Sequence, residues 1–492
     1  MIIVKLIDTD VIRDLAQCFG RTERWAEKRI KKYLDLIGIL LLDAETRGAS
    51  SWNKRFKLYS IPLKKLHLDG GRVSSNTKKI NVRLHHWLEK SGYSFVAAVE
   101  VGSPLTAEIS KVKTTARIEV QDCWLGFKDM VAFVNHLNSG VNKYREQINL
   151  LHSDIPNFNS VQATDPRFDF LNVDEDSLKA HLLKLWGIGN SASSNSVRGK
   201  IRRQLAQGFT ILCIARMFDG FYPQRKSLSP FGRNYYTGVS IQNIKKDMRY
   251  AILGSCWEYD LKSAALTWRS GFISDFIATS KKFNNENTAF PSLLRYLNDR
   301  DSWMQDVCQN VFGGANFTAE QKAKIKGAMQ ALGFGAKKIQ GDILIKSKNG
   351  ESVKWKAAVA EIIDDAIHCK NFFLDDWVTK CINEMRLLGD FIYKNELKSN
   401  PTLKTKTFLL APGGRLCKRK VLAYLFQHAE TNVMDVVRYE IEQGGIHTVL
   451  ANIHDCVITR DRIEPDLLKS IIDAVHAKTG NTRWVLTETQ HC

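Results

Sequence analysis

Three short segments, far apart in the chain, carry residue types that can do phosphoryl chemistry together. In Cys256-Trp257-Glu258-Tyr259-Asp260-Leu261 a β-prone run delivers an aspartate at its end, before Lys262-Ser263-Ala264 turns towards a helix. Between Thr318 and Gly335, the residues Lys322, Lys326, Gln330 and Phe334 recur at i, i+4 and form one drifting helical stripe, with two cations at one end and a ring at the other. In the third segment two β-prone runs flank His454-Asp455. Each has a plain structural explanation: an Asp closing a strand caps a turn, a Lys-rich helix is a solvated face with Phe334 in the core, and His-Asp pairs occur by chance. Taken together they have a chemical one. Two carboxylates from different strands, Asp260 and Asp455, are the hard-oxygen ligands required by two Mg²⁺ or Mn²⁺ ions about 3.5–4 Å apart. The ammonium groups of Lys322 and Lys326 then neutralise a triphosphate as charge shifts onto it, and Phe334 lies against sugar and base.

The elements that must position these groups can be read from local signals. Thr318 and Gln321 fit a capping box, so a helix starts there and ends near Gly333-Phe334-Gly335. His454-Asp455 sits at the tip or edge of a hairpin. Upstream, residues 187–196 (Gly-Ile-Gly-Asn-Ser-Ala-Ser-Ser-Asn-Ser) are small and polar, and they predict a linker and a domain boundary. At the N-terminus, apolar spacing predicts helices over Asp10 to Phe19 and Glu23 to Ile37, broken at Gly20-Arg21-Thr22. Strand-like alternation follows at Phe56 to Ile61, with a turn at Asp69-Gly70-Gly71. That pattern suits a winged-helix domain as well as an ordinary helix pair. Residues 124–186 read as a mixed, mainly helical stretch.

The order strand-Asp, Lys helix, His-Asp resembles the palm and fingers motifs shared by phage-type single-subunit RNA polymerases and family A DNA polymerases. Asp260 resembles the first metal-binding Asp of those enzymes, and His454-Asp455 their His-Asp motif. Lys322, Lys326, Phe334 and Gly335 resemble the fingers helix, in which a basic residue, a Lys four later and Tyr-Gly bind the nucleotide. Gln427, in Phe426-Gln427-His428-Ala429-Glu430, stands where these enzymes place a Gln or His near the primer terminus. Asp219-Gly220-Phe221-Tyr222-Pro223 and Leu228-Ser229-Pro230-Phe231-Gly232-Arg233 resemble the loop that precedes the first palm motif in the single-subunit RNA polymerases. The resemblance implies that Arg233, Lys245, Lys246 and Arg249, with Gln427 and His454, lie along template or primer. It covers roughly residues 215 to 460. Ala265 stands where the DNA polymerases have a bulky Glu that excludes the ribose 2′-hydroxyl, which favours ribonucleotides. Phe334 replaces a Tyr of the 2′-hydroxyl network and Lys322 replaces an Arg, giving a point charge for a fork.

Charge supports a polyanionic partner. The 492 residues include 71 Lys+Arg against 52 Asp+Glu, a formal net charge of +19. Residues 51–90 hold +8 and residues 196–250 hold +9, while residues 251–492 hold only +4. Such patches point to counterion release from phosphates, a solvated surface being the plain alternative. A mean hydropathy of −0.24, 44% apolar and 25% charged residues exclude disorder and fibrous repeats. The longest apolar stretch, Leu36 to Leu42, is far too short to span a bilayer. No secretory signal pattern opens the chain, so an intracellular location is expected. Ten cysteines without Cys-x-x-Cys or Cys/His spacing exclude a zinc site and a disulfide framework, leaving core or incidental thiols.

These readings converge on an α+β chain with a right-hand polymerase fold. A basic N-terminal domain (1–125), a helical region with linker (126–200) and a polymerase domain (201–492) are expected, the palm being 201–275 and 405–492 and the fingers 276–404. The expected activity is template-directed nucleotidyl transfer from nucleoside triphosphates with two Mg²⁺ or Mn²⁺ ions. DNA is the favoured template and RNA or a primer the product, made without proofreading. The kind of enzyme resembled implies a phage, plasmid or mobile element; a monomer without membrane attachment is expected. The alternatives are a family A-like DNA polymerase, a silent replication initiator that only binds nucleic acid, and a metal-dependent nuclease, which would not need the Lys-Phe helix.

Overall fold

The computed structural model describes residues 2–46, 59–62, 71–74, 81–100, 109–114, 118–122, 129–139, 161, 165–236, 238–314, 316–336, 338–339, 342–346, 352–411, 413–445 and 448–491. It divides into two compact units, Met1–Ser227 with Tyr235–Ser255 and His491–Cys492, and Leu228–Asn234 with Cys256–Gln490.

In the first unit the N-terminal helices run over Asp10–Phe19 and Glu23–Thr46, the second nine residues longer than its apolar spacing to Ile37 predicts. Gly20 ends the first in the left-handed region, φ 61°, where a residue without Cβ carries no penalty. Val11, Leu15 and Phe19 pack on Ala26, Ile30, Tyr33 and Ile37. Tyr59–Pro62 and Val96–Glu100 both pair antiparallel with Ile109–Thr114. Much of the first basic window (51–58, 63–70 and 75–80) lies outside the described residues, as do Phe56 and the Asp69-Gly70 turn. The stretch 124–186 contains the helix Met130–Ser139, and also a strand, Phe168–Asn172, that its apolar pattern does not announce.

The small-polar run at 187–196 is not a linker. Its first half completes the helix Glu175–Ser191, residues 192–194 turn the chain, and the helix Asn195–Met217 begins at once. Asp174 caps the first of these, accepting the Ser177 N–H at 2.9 Å, and Leu178, Leu182, Leu185 and Gly189 are buried along it. A Cβ on Gly208 of the second would meet Leu182 Cδ2 at 2.7 Å, so the glycine is what lets the two helices touch. Packing of the pair outweighs the weak helix propensity of Gly, Ser and Asn. The boundary expected near residue 200 therefore moves: residues 201–227 and 235–255, expected in the palm, belong to the first unit.

The second unit holds a four-stranded sheet in the order Val449–Ile453, Cys456–Thr459, Cys256–Leu261, Leu486–His491. The first three strands pair antiparallel. Tyr259, Leu261, Val457 and Leu486 pack on Phe426, Val433, Met434 and Val437 of the helix Lys418–Gly444 and on Ile471 and Val475 of Pro465–Thr479. A separate helical core is built around Phe290, Tyr296, Trp303, Ile325, Met329 and Phe372. It includes the helix Ala319–Gly333, whose capping box Thr318/Gln321 is present as the sequence predicts. Six of the described cysteines, Cys213, Cys256, Cys308, Cys369, Cys381 and Cys456, are buried free thiols. No helix among the described residues is long and apolar enough to cross a membrane.

Thr318→Ala removes the cap of the lysine-bearing helix. It is expected to cost about 1 kcal/mol, read as a lower denaturant midpoint at unchanged slope, with Thr318→Ser near the parent.

Candidate active site

Asp260 lies in a strand that has neighbours on both sides. Its carbonyl accepts the Thr487 hydroxyl at 3.0 Å, the Leu261 N–H donates to the Asp455 carbonyl at 2.9 Å, and the Lys262 N–H donates to the Val485 carbonyl at 2.9 Å. The buried Tyr259 hydroxyl fixes the same strand by accepting the Ile463 N–H at 2.6 Å and donating to Glu488 at 3.2 Å. Asp260 stands opposite Cys456 in the register. Strict strand alternation would therefore place Asp455, one residue earlier, on the other face. His454 and Asp455 instead form the two-residue turn between their strands, with His454 at φ 54°, and both aspartates line one cavity.

The helix Ala319–Gly333 buries Ile325, Ala328, Met329 and Leu332 and turns Lys326 and Gln330 to the cavity. Its last turn is pinned by Arg269. This buried guanidinium donates to the Gly333 carbonyl at 2.9 Å and the Met385 carbonyl at 3.4 Å, satisfying a carbonyl at the negative end of the helix. Burial pushes Arg269 down to about 10. At Gly333 a Cβ would lie 3.6 Å from the Cβ of Ala265, so two small residues set the wall of the cavity there. Phe334, expected in the core if the stripe were only a solvated face, is 52% exposed, lines the cavity and meets Phe426 edge-on at 5.6 Å.

Arg233 reaches the same cavity from the loop 229–233. Gly232 (φ 94°) brings that loop onto the helix Lys418–Gly444, where a Cβ would be 2.8 Å from His428 Nδ1. Arg233 then grips Glu430 with two hydrogen bonds, Nη2 to Oε1 at 2.6 Å and Nε to Oε2, and lies 5.7 Å over the Phe426 ring.

The cavity measures about 310 Å³. Of the residues expected from sequence, Asp260, Asp455, Lys326, Gln330, Phe334, Ala265, Arg233 and His454 line it. Lys322 does not; its ammonium lies 5.4 Å over Phe317. Gly335 and Gln427 are not among the lining residues either. Lys245, Lys246 and Arg249 belong to the first unit, where Lys246 sits over Tyr250 and Arg249 donates to the Ile241 carbonyl. Sequence reasoning missed Arg300, which lines the cavity and donates to Ser263 Oγ at 3.1 Å, and it missed Glu430. A signal for Glu430 existed: an acid at i+4 from Phe426 and i−3 from Val433 sits inside an apolar stripe. Arg300 carries no such mark.

Burial sets the electrostatics. Asp455 is pushed above the usual carboxylate range by burial, with Glu258 adding to the rise while Arg233 and Lys326 oppose it. Glu430 is pushed up to about 7, burial outweighing its pair with Arg233, and Asp455 adds to the rise. Among the described residues no group of three or more His, Cys, Asp or Glu is arranged to hold a metal. Asp260 and Asp455 nevertheless fit divalent cations: they are hard oxygen donors, and burial that disfavours the Asp455 anion is what a bound cation offsets.

No protein-family model matches the chain, and no curated protein matches it. Among solved structures, it is similar to the POL domain of Pol1 from M. smegmatis in complex with DNA primer-template and dNTP. The TM-score is 0.39 at 11% identity, over 75% of this chain and 66% of that one.

Glu430 also predicts a pH dependence. Its folded value, about 7, lies above its ordinary 4.5, so the stability it contributes is complete below about 4.5 and is lost as pH rises through about 7. Glu430→Gln cannot ionise. Urea unfolding of parent and variant at pH 5 and pH 8 is expected to show the variant gaining on the parent as pH rises, on top of a constant offset from the altered Arg233 pair.

Proposed function

We propose that the cavity of the second unit performs template-directed nucleotidyl transfer, adding nucleotides to the 3′ end of a nucleic-acid chain. One observation carries the reading: two carboxylates, one in a strand and one in a hairpin turn, the cationic residues Arg233, Lys262, Arg300 and Lys326, and an exposed aromatic ring converge on one cavity. In the step itself, the 3′-oxygen of the growing chain bonds to the α-phosphorus of a nucleoside triphosphate. The bond from that phosphorus to the oxygen bridging to the β-phosphorus breaks, pyrophosphate leaves, and the hydroxyl proton passes to solvent. Asp260 and Asp455 would hold two Mg²⁺ or Mn²⁺ ions, which supply Lewis acidity at the attacking and leaving oxygens.

The protein's own groups do the rest. Lys326 and Arg300 neutralise the triphosphate, Arg300 being steadied by Ser263. Phe334 offers its exposed ring to the base, at the end of a helix that Arg269 holds in place. Ala265 leaves space beside the sugar, which supports ribonucleotide use and an RNA or primer product on a DNA template. Arg233, held by Glu430, would contact the primer end. In this reading the sheet acts as palm and the helices between Pro291 and Ser399 as fingers. The polymerase domain is then the second unit and the basic first unit is an accessory that binds nucleic acid.

The test is an incorporation assay with Mg²⁺ or Mn²⁺, primed and unprimed DNA templates, and either rNTPs or dNTPs. Ribonucleotide incorporation is expected, falling at least about a hundredfold in Asp260→Ala and in Asp455→Ala while nucleic-acid binding persists. Extension with dNTPs alone selects the DNA polymerase reading. No extension under any combination, with parental binding in both variants, selects the silent initiator.

A further inference from the structure

We propose that residues 401–429 form a second nucleic-acid surface on the same unit, a basic shoulder that holds the phosphodiester backbone of a strand engaged at the cavity. The identity of this polyanion rests on the polymerase reading above. Six basic residues and no acidic one lie between Pro401 and Ala429, inside a stretch (251–492) whose net charge is only +4.

Three of the six are used internally. Lys418 pairs with Asp390, Lys420 Nζ donates to the carbonyls of Leu410 (2.6 Å) and Phe408 (3.2 Å), and Lys406 lies 5.4 Å over the Tyr424 ring. These contacts strap the segment onto the helix Lys418–Gly444. Within it the chain doubles back: Leu410 bridges Leu416, and the Ala411 N–H donates to the Arg415 carbonyl at 2.7 Å. The other three, Lys404, Arg415 and Arg419, are exposed and make no ion pair among the described residues. Like charges held on an ordered surface repel one another, and a polyanion relieves that repulsion.

The surface adjoins the cavity at two places. A Cβ on Gly335, next to Phe334, would lie 3.8 Å from the Arg419 side chain. Phe231, two residues before Arg233, makes ring contacts with Phe408 and Tyr424. The tip presents Gly413, Gly414 and Arg415, with no bulky apolar side chain among them to enter a bilayer, so nucleic acid is favoured over an anionic lipid surface.

The experiment measures binding of labelled duplex and single-stranded DNA by fluorescence anisotropy, without divalent metal, over about 50 to 300 mM KCl. In the triple variant Lys404→Gln/Arg415→Gln/Arg419→Gln, the slope of log K against log salt is expected to become shallower by about 2–3 for duplex and about 2 for single strands, at an unchanged unfolding midpoint. The control Lys281→Gln/Lys469→Gln/Lys478→Gln removes three exposed charges elsewhere on the unit and is expected to keep the parental slope. A parental slope in the first triple, or an equal change in the control, overturns the proposal. A parental slope with intact nucleotide incorporation sinks the shoulder and leaves the catalytic reading standing. A shallower slope with no incorporation does the reverse.

Discussion

Carboxylates held where water cannot fully solvate them, Asp455 in a hairpin turn and Glu430 on a helix, are the constraint from which the rest of the second unit follows. Asp455 is raised by burial and by Glu258, and Glu430 is raised by burial and by Asp455. Left alone, such a group neutralises or repels its neighbours. The fold answers by bringing cations from elements distant in sequence: Arg233 from a loop, Lys326 from one helix and Arg300 from another. A site that keeps buried negative charge with incomplete internal compensation is suited to bind cations and the phosphates that accompany them.

Positioning those cations uses much of the local architecture. Arg233 is not merely near the carboxylates. Its fork closes on Glu430 and its plane covers Phe426, which also touches Phe334 and Trp268. One aromatic ring thus connects the arginine to the exposed ring that would meet a base. Lys326 owes its place to the Thr318 cap at one end of its helix and to Arg269 at the other. A buried ion pair such as Arg233–Glu430 is a poor source of net stability, and its value here is orientation.

Sequence alone reached the residues whose signals are local. Asp260 closes a β-prone run, Asp455 sits between two, and the i, i+4 stripe with its capping box located Lys326, Gln330 and Phe334. What it missed is set by tertiary packing. Gln427 was the expected contact of its helix, whereas Glu430, three residues on, engages Arg233 across 197 positions of sequence. The run 187–196 has the composition of a linker, yet it completes one helix and opens the next, and Gly208 of the second lets the two pack closely. Net charge misled by summation: of the basic window 196–250, only residues 228–234 fall in the unit that holds the cavity, while the acid-free run 401–429 was hidden inside a nearly neutral stretch.

If the cavity works as proposed, Asp260 and Asp455 jointly hold divalent cations. Anomalous diffraction from crystals grown with Mn²⁺ and a nucleoside triphosphate tests it most directly. Manganese peaks are expected within about 2.0–2.6 Å of carboxylate oxygens of both aspartates, with the triphosphate turned towards Lys326 and Arg300. Manganese bound elsewhere, or on one aspartate while the other faces away, would contradict it.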